Sequence, residues 1–229
     1  MDLLTGGETI LDLATAPVRE INAALHGMPD GAVVRVLHPQ GAHNVAVGIG
    51  SLVSVEIEGH VGYYAAGMHQ RGSVHVRGNA GPGVAENMMS GTVRIAGDAS
   101  QSAGATAVGG LLVIDGSTGS RCGIALRGAD IVVGGSVGHV TGFMAQAGRI
   151  VVCGDAGDAL GDSLYEARIY VRGSVASLGT DCIEKPMRHE HLAELAELLA
   201  AAGRTERPED FRRYGSARRL YHFRHDNEY

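Results

Sequence analysis

Seven glycines stand at one interval in this chain: Gly59, Gly78, Gly97, Gly116, Gly135, Gly154 and Gly173, each 19 residues after the last. No insertion interrupts the series. A self-similar period of about 20 residues is the mark of a solenoid, in which each repeat stacks on its neighbours.

Each period glycine closes a short run with strand character. Four residues before it stands Val55, Val74, Val93, Leu112, Ile131, Ile150 or Ile169. Two residues before it stands Ile57, Val76, Ile95, Ile114, Val133, Val152 or Val171. A period of 2 places both positions on one face of a strand, and branched aliphatics suit that surface. The position between them reads Glu56, His75, Arg94, Val113, Val132, Val151, Tyr170. It is expected to face outward, and its change to apolar residues predicts that another surface covers the later repeats. Two residues after the glycine a small or branched residue recurs, from Val61 through Ala80 to Val175. Small residues recur three and seven places after it, as in Gly116, Gly119 and Gly123. Glycine permits positive φ and close backbone approach, both of which sharp stacked corners need.

The expected fold is all-β: a single-stranded right-handed parallel β-helix of about seven 19-residue coils, with N- and C-terminal helical caps. A left-handed helix of hexapeptides uses 18 residues per coil and an aliphatic every six. Here the hexad fails at Glu86, Asp162 and Asp181.

Three segments are expected. Residues 1–47 form an N-terminal cap with a degenerate coil. There residues 17–26 read as a helix stopped by Gly27, residues 32–37 as a strand, and residues 43–47 as a further possible strand. Residues 48–184 form the β-helix. Residues 185–229 form a helix over 188–202, stopped by Gly203, and then an arginine- and aromatic-rich tail. A further short helix is expected from Thr205, Pro208, Glu209 and Asp210. The tail residues Phe211, Arg212, Arg213, Tyr214, Arg218, Arg219, Tyr221 and Phe223 are the candidate subunit interface, because Tyr, Phe and Arg are enriched at interfaces. Packing of the tail on the solenoid flank is the other reading, and the two coexist. A truncation after Gly203 is expected to spare the coils.

The mild negative charge of −6 argues against nucleic acid as a partner. No apolar run reaches the ~20 residues that span a bilayer, and the N-terminus lacks signal-peptide character, so a cytoplasmic, membrane-free chain is expected. Cys122, Cys153 and Cys182 are too far apart in sequence, and too unlike in repeat position, for a metal site. The histidines share no common face, and surface or interface positions are expected for them, with His189 and His191 solvated. A phosphate-binding loop needs Gly-Lys-Ser/Thr, and the single lysine, Lys185, precedes Pro186. Acidic corner residues such as Asp98, Asp155 and Asp158 are expected to cap turns. No catalytic, cofactor-binding or metal-ligating residue is assigned, and the period glycines are read as structural.

The motif strand–G–x–x–G–x–x–x–G, as in Gly135, Gly138 and Gly142, resembles the C-terminal β-helix domain of glutamate synthase large subunits. The tail from Asp210 to Phe223 is similar to that of small stand-alone versions. The resemblance runs from about residue 31 to the end. It implies a non-catalytic scaffold without its own cofactor in a cytoplasmic hetero-oligomer. The implied partners are a glutamine amidotransferase-like subunit and an FMN-binding synthase subunit carrying an iron–sulfur cluster. Among such enzymes it points to N-methylglutamate synthase, which makes N-methylglutamate and ammonia from glutamate and methylamine. The alternatives are a glutamate synthase-like complex, the β-helix subunit of formylmethanofuran dehydrogenase and, from another class, a left-handed β-helix acyltransferase.

Overall fold

The computed structural model describes residues 7–218. In chain order the elements are β1 (Thr9–Asp12), α1 (Val18–His26), β2 (Val33–Leu37), β3 (Ser54–Ile57), β4 (Ser73–Val76), β5 (Thr92–Ile95) and β6 (Leu111–Ile114). They continue as β7 (Arg127–Val133), β8 (Ala147–Val152), β9 (Arg168–Val171), β10 (Cys182–Lys185), α2 (His189–Ala201) and β11 (Arg212–Ser216). Strands β1 to β9 pair in sequence order, all parallel. From β3 to β9 the partners lie 19 residues on, so Val55 meets Val74, Val93 and Leu112 in one row. The exception is Arg127, which pairs with Ala147 before a bulge restores the step at Asp130. The protein is therefore a parallel β-solenoid of about seven turns.

The two aliphatic rows point inward and are fully buried, as the period of 2 requires. The position two places after each glycine forms a second, one-residue ladder, in which Val61, Ala80, Ala99, Thr118, Val137, Ala156 and Val175 bridge in turn. Two further inward rows carry no sequence signature. Six places after the glycine come Ala65, Val84, Ala103, Cys122, Thr141 and Leu160, and ten places after it come His69, Met88, Ala107, Leu126, Ala145 and Leu164.

The period glycines serve close approach. A Cβ on Gly154 would lie 2.7 Å from the carbonyl carbon of Gly135, and one on Gly173 would lie 2.5 Å from Gly154 O. Each donates to the glycine one coil back, at 2.8–3.0 Å from Gly97 to Gly173. Positive φ is concentrated elsewhere, five, seven and nine places after the glycine, and mostly on other residues. Tyr64, Ala66 and Met68 in one coil, and Val140, Gly142 and Met144 in another, are all left-handed. A side chain there costs about 1–2 kcal/mol. The neighbouring coils fix it, because alternate N–H groups bond forward (Tyr64 to Pro82 O, 2.8 Å) and back (Ala85 to Ala65 O, 2.9 Å). Residues 43–47 are such a left-handed turn rather than a strand.

A side-chain ladder runs one place after the glycine. The backbone N–H groups of Asn79, Asp98, Ser117, Ser136, Asp155 and Ser174 each donate to the side chain one coil back, at 2.7–3.1 Å. Asp98 and Asp155 accept such bonds, the turn-capping role expected of them. The Ser174 bonds hold the Asp155 carboxyl below its usual range.

His69 departs from the expected surface placement. It is fully buried, its Nε2 lies 3.2 Å from Gly72 O, and its Nδ1 has no partner. Burial pushes its pKa down. A folded-state pKa below the unfolded value of about 6.5 means that the unfolded chain binds the proton more readily. Stability is therefore complete above that pH and is lost as pH falls below it. Met88, Leu126 and Leu164 occupy the same row, so His69→Leu fits the site. We expect His69→Leu to raise the denaturation midpoint at pH 7, with the gap to wild type widening at pH 5. An unchanged gap between the two pH values, read by urea titration, would contradict a neutral, buried imidazole.

Candidate interaction surface

The outward row between the two aliphatic rows divides the sheet. On β3, β4 and β5 it carries Glu56, His75 and Arg94, and on β6 to β9 it carries Val113, Val132, Val151 and Tyr170. Helix α2 lies over the second group. Leu195, Leu198, Leu199 and Ala202 join those four residues, Cys153 and Phe211 in an apolar cluster separate from the solenoid core. This is the covering surface that the apolar switch predicted.

Polar contacts fix the helix at both ends. Arg94 forks onto Asp115 at 2.9 and 2.6 Å, and its remaining nitrogen donates to Ala202 O at 3.1 Å, where a helix C-terminus favours a cation. Gly203 follows in the left-handed conformation, φ +69°, the usual helix stop. Beyond it Arg204 holds the Glu206 carboxyl down at about 2. On the second turn Glu194 accepts from Arg168 at 2.6 Å and from the Tyr170 hydroxyl. Burial, and then the Glu194 carboxylate, push the Tyr170 phenol up. His191 is buried and accepts the Arg188 N–H through Nδ1 at 3.2 Å, so it is not the solvated group expected.

The tail behaves differently from a free interface. The expected short helix is a single turn of 3-10 helix, Pro208–Asp210, and β11 then inserts antiparallel between β9 and β10. Phe211 is buried beneath α2, and Tyr214 is buried in the solenoid core. Arg212 donates to Gly173 O at 2.8 Å, Arg213 to Pro186 O at 3.0 and 3.2 Å, and Arg218 pairs with Asp181. Arg219, Tyr221 and Phe223 lie outside the described residues. Because β11 is bonded to β9 and fills the core, truncation after Gly203 is no longer expected to spare the coils. Sequence reasoning missed this strand because the buried residues of Arg-Arg-Tyr-Gly-Ser are Tyr214, Gly215 and Ser216, leaving no aliphatic alternation to read.

Where the outward row runs past α2, a groove of about 630 Å³ opens between β7–β9, Glu194 and the β10–β11 pair. Arg149 forks onto Asp130 at 2.7 and 2.6 Å along one wall. Lys185 and Arg213 stand directly opposite each other along another. The cysteines take no part. Cys122, Cys153 and Cys182 are buried and free, and burial pushes their thiols up to about 12, 11 and 11. Among the described residues no group of three or more His, Cys, Asp and Glu side chains is placed to hold a metal, and no helix is long and apolar enough to cross a membrane.

Protein GlxC of Rhizobium meliloti (strain 1021) is similar to this chain, with 61% identity over 222 residues, or 95% of this chain and 97% of that protein. No family model matches the chain. No solved structure matches it.

Proposed function

Because this chain belongs to the family of Protein GlxC, we propose that it serves as the non-catalytic assembly subunit of a multi-subunit enzyme of the glutamate synthase family. Support comes from the repeat. The corner glycines that carry the resemblance are the residues that bring coil backbones together, so the motif defines a rigid body. The partners in this reading are a glutamine amidotransferase-like subunit and a flavin-bearing synthase subunit with an iron–sulfur cluster. The finer assignment is N-methylglutamate synthase, with a right-handed winding of the coils and helices closing both ends of the solenoid. A cytoplasmic location belongs to the same reading.

Co-purification tests it. Expressed with the products of its neighbouring genes, the chain should elute with a flavin-absorbing subunit and an amidotransferase-like one. The assembly should form N-methylglutamate and release ammonia from glutamate and methylamine. Glutamine-dependent glutamate formation instead would select the glutamate synthase-like alternative. Elution without either partner would overturn the assembly role. A left-handed winding in an experimental structure would favour the acyltransferase class.

A further inference from the structure

The groove beside β10 and β11 carries an electrostatic imbalance. Lys185 and Arg213 are register partners in this antiparallel pair, so their side chains leave the same face of the sheet. Like charges directly opposite destabilise a strand pair. Among the described residues the Arg213 guanidinium is anchored by the neutral carbonyl of Pro186, and neither cation has a carboxylate within ion-pair distance. The neighbouring acids are already engaged, Asp130 by Arg149 and Glu194 by Arg168 and Tyr170. Glu166, the third acid of the lining, also has a partner of its own. Arg149, Arg168 and Arg218 line the groove too but are paired with Asp130, Glu194 and Asp181, so the uncompensated charges are those of Lys185 and Arg213. The chain as a whole carries a net charge of −6. A local surplus of the opposite sign, in a concave site, is a complement to an anion.

We propose that this groove binds a carboxylate, which lies between Lys185 and Arg213 and relieves their repulsion. A planar guanidinium offers a two-pronged contact to a carboxylate, and the lysine adds a second point charge. The carboxylate comes either from a small free acid or from an acidic side chain of a partner subunit.

Lys185→Glu tests the site. The substitution places a carboxylate opposite Arg213 within the chain itself. The variant should melt at a higher temperature than wild type in plain buffer. Millimolar succinate, against sodium chloride of equal ionic strength, should raise the wild-type midpoint saturably. The apparent affinity should fall about tenfold or more in Lys185→Glu, and in the milder Lys185→Gln. That outcome assigns the site to a free acid. If succinate does nothing to wild type but Lys185→Glu loses co-elution with a partner subunit that wild type retains, the carboxylate is the partner's. The inference is overturned if Lys185→Glu melts lower in plain buffer. It is overturned equally if succinate shifts both proteins alike, or if succinate is inert and co-elution is unchanged or absent in wild type. Succinate binding without any partner would sink the assembly role and leave the site standing.

Discussion

Gly138→Val is expected to yield no folded protein. A Cβ at this position would stand 2.7 Å from both Gly119 C and Ser120 N. Both are backbone atoms of the coil before, held by their own ladder bonds, so neither can swing aside as a side-chain tip would. Overpacking in a core costs about 1–3 kcal/mol when neighbours can shift. Here relief requires separating two coils, and with them the rows on either side. Domain stabilities are only about 5–15 kcal/mol. The row tolerates Ser100 in one coil, so Gly138→Ala should be the milder change. Gly142→Ala should be milder still in steric terms, because its nearest neighbour is the movable Ile169 Cδ1 and because Ala66 and Ala85 already adopt the left-handed conformation of that row. Circular dichroism and urea denaturation of the three variants check the order. A cooperative, wild-type-like transition in Gly138→Val would contradict the stacked-corner account.

Truncation after Gly203 should destabilise the whole solenoid. It removes β11 from β9, leaving the last coil with an open edge, and it withdraws Tyr214 from the core and Phe211 from beneath α2. Emptying a buried aromatic site costs about 3–5 kcal/mol. With two such sites and a strand lost together, the expected product is aggregated or unfolded at room temperature. Phe211→Ala alone should cost about 3–5 kcal/mol and leave a folded chain whose α2 is loosened. Thermal melts of both proteins, with near-ultraviolet circular dichroism for the aromatic packing, read the result. A truncated chain that melts like wild type would mean that β11 adds nothing to the last coil.

Legibility in the sequence followed how strictly each position restricts residue type. The rows four and two places before the glycine accept only branched or long aliphatics, because each faces a close-packed neighbour of its own kind, and they could be read directly. The rows six and ten places after it vary in volume and polarity, as in Ala103, Cys122, Thr141 and Leu160 or Met88, Ala107 and Leu126. No single residue class marks them. His69 could have been placed by arithmetic, since it shares its offset with Met88 and Leu126. Its polar ring hid it. Of the left-handed positions, the one seven places after the glycine was marked by glycine in four coils, whereas those five and nine places after it left no trace, because coil-to-coil bonds impose them on Tyr64, Met68, Arg121 and Val140 alike. On the candidate surface, the switch from Arg94 to Val113 announced a cover and located it. The groove was not legible, because the meeting of Lys185 and Arg213 depends on a strand inserted against the direction of its neighbours.

The constant 19-residue step also makes the solenoid a gauge of length. Coils stack at the strand spacing of about 4.8 Å, so the distance between its two ends comes in whole multiples of that interval. A gain or loss of 19 residues between Gly59 and Gly173 changes the span by one such unit and keeps every glycine over a glycine. A gain or loss of 18 or 20 breaks the register at the altered coil, where the odd residue has to be absorbed by a bulge like the one between Arg127 and Asp130. The period thus quantises which lengths the molecule can have, and mutation can lengthen or shorten it only in whole coils.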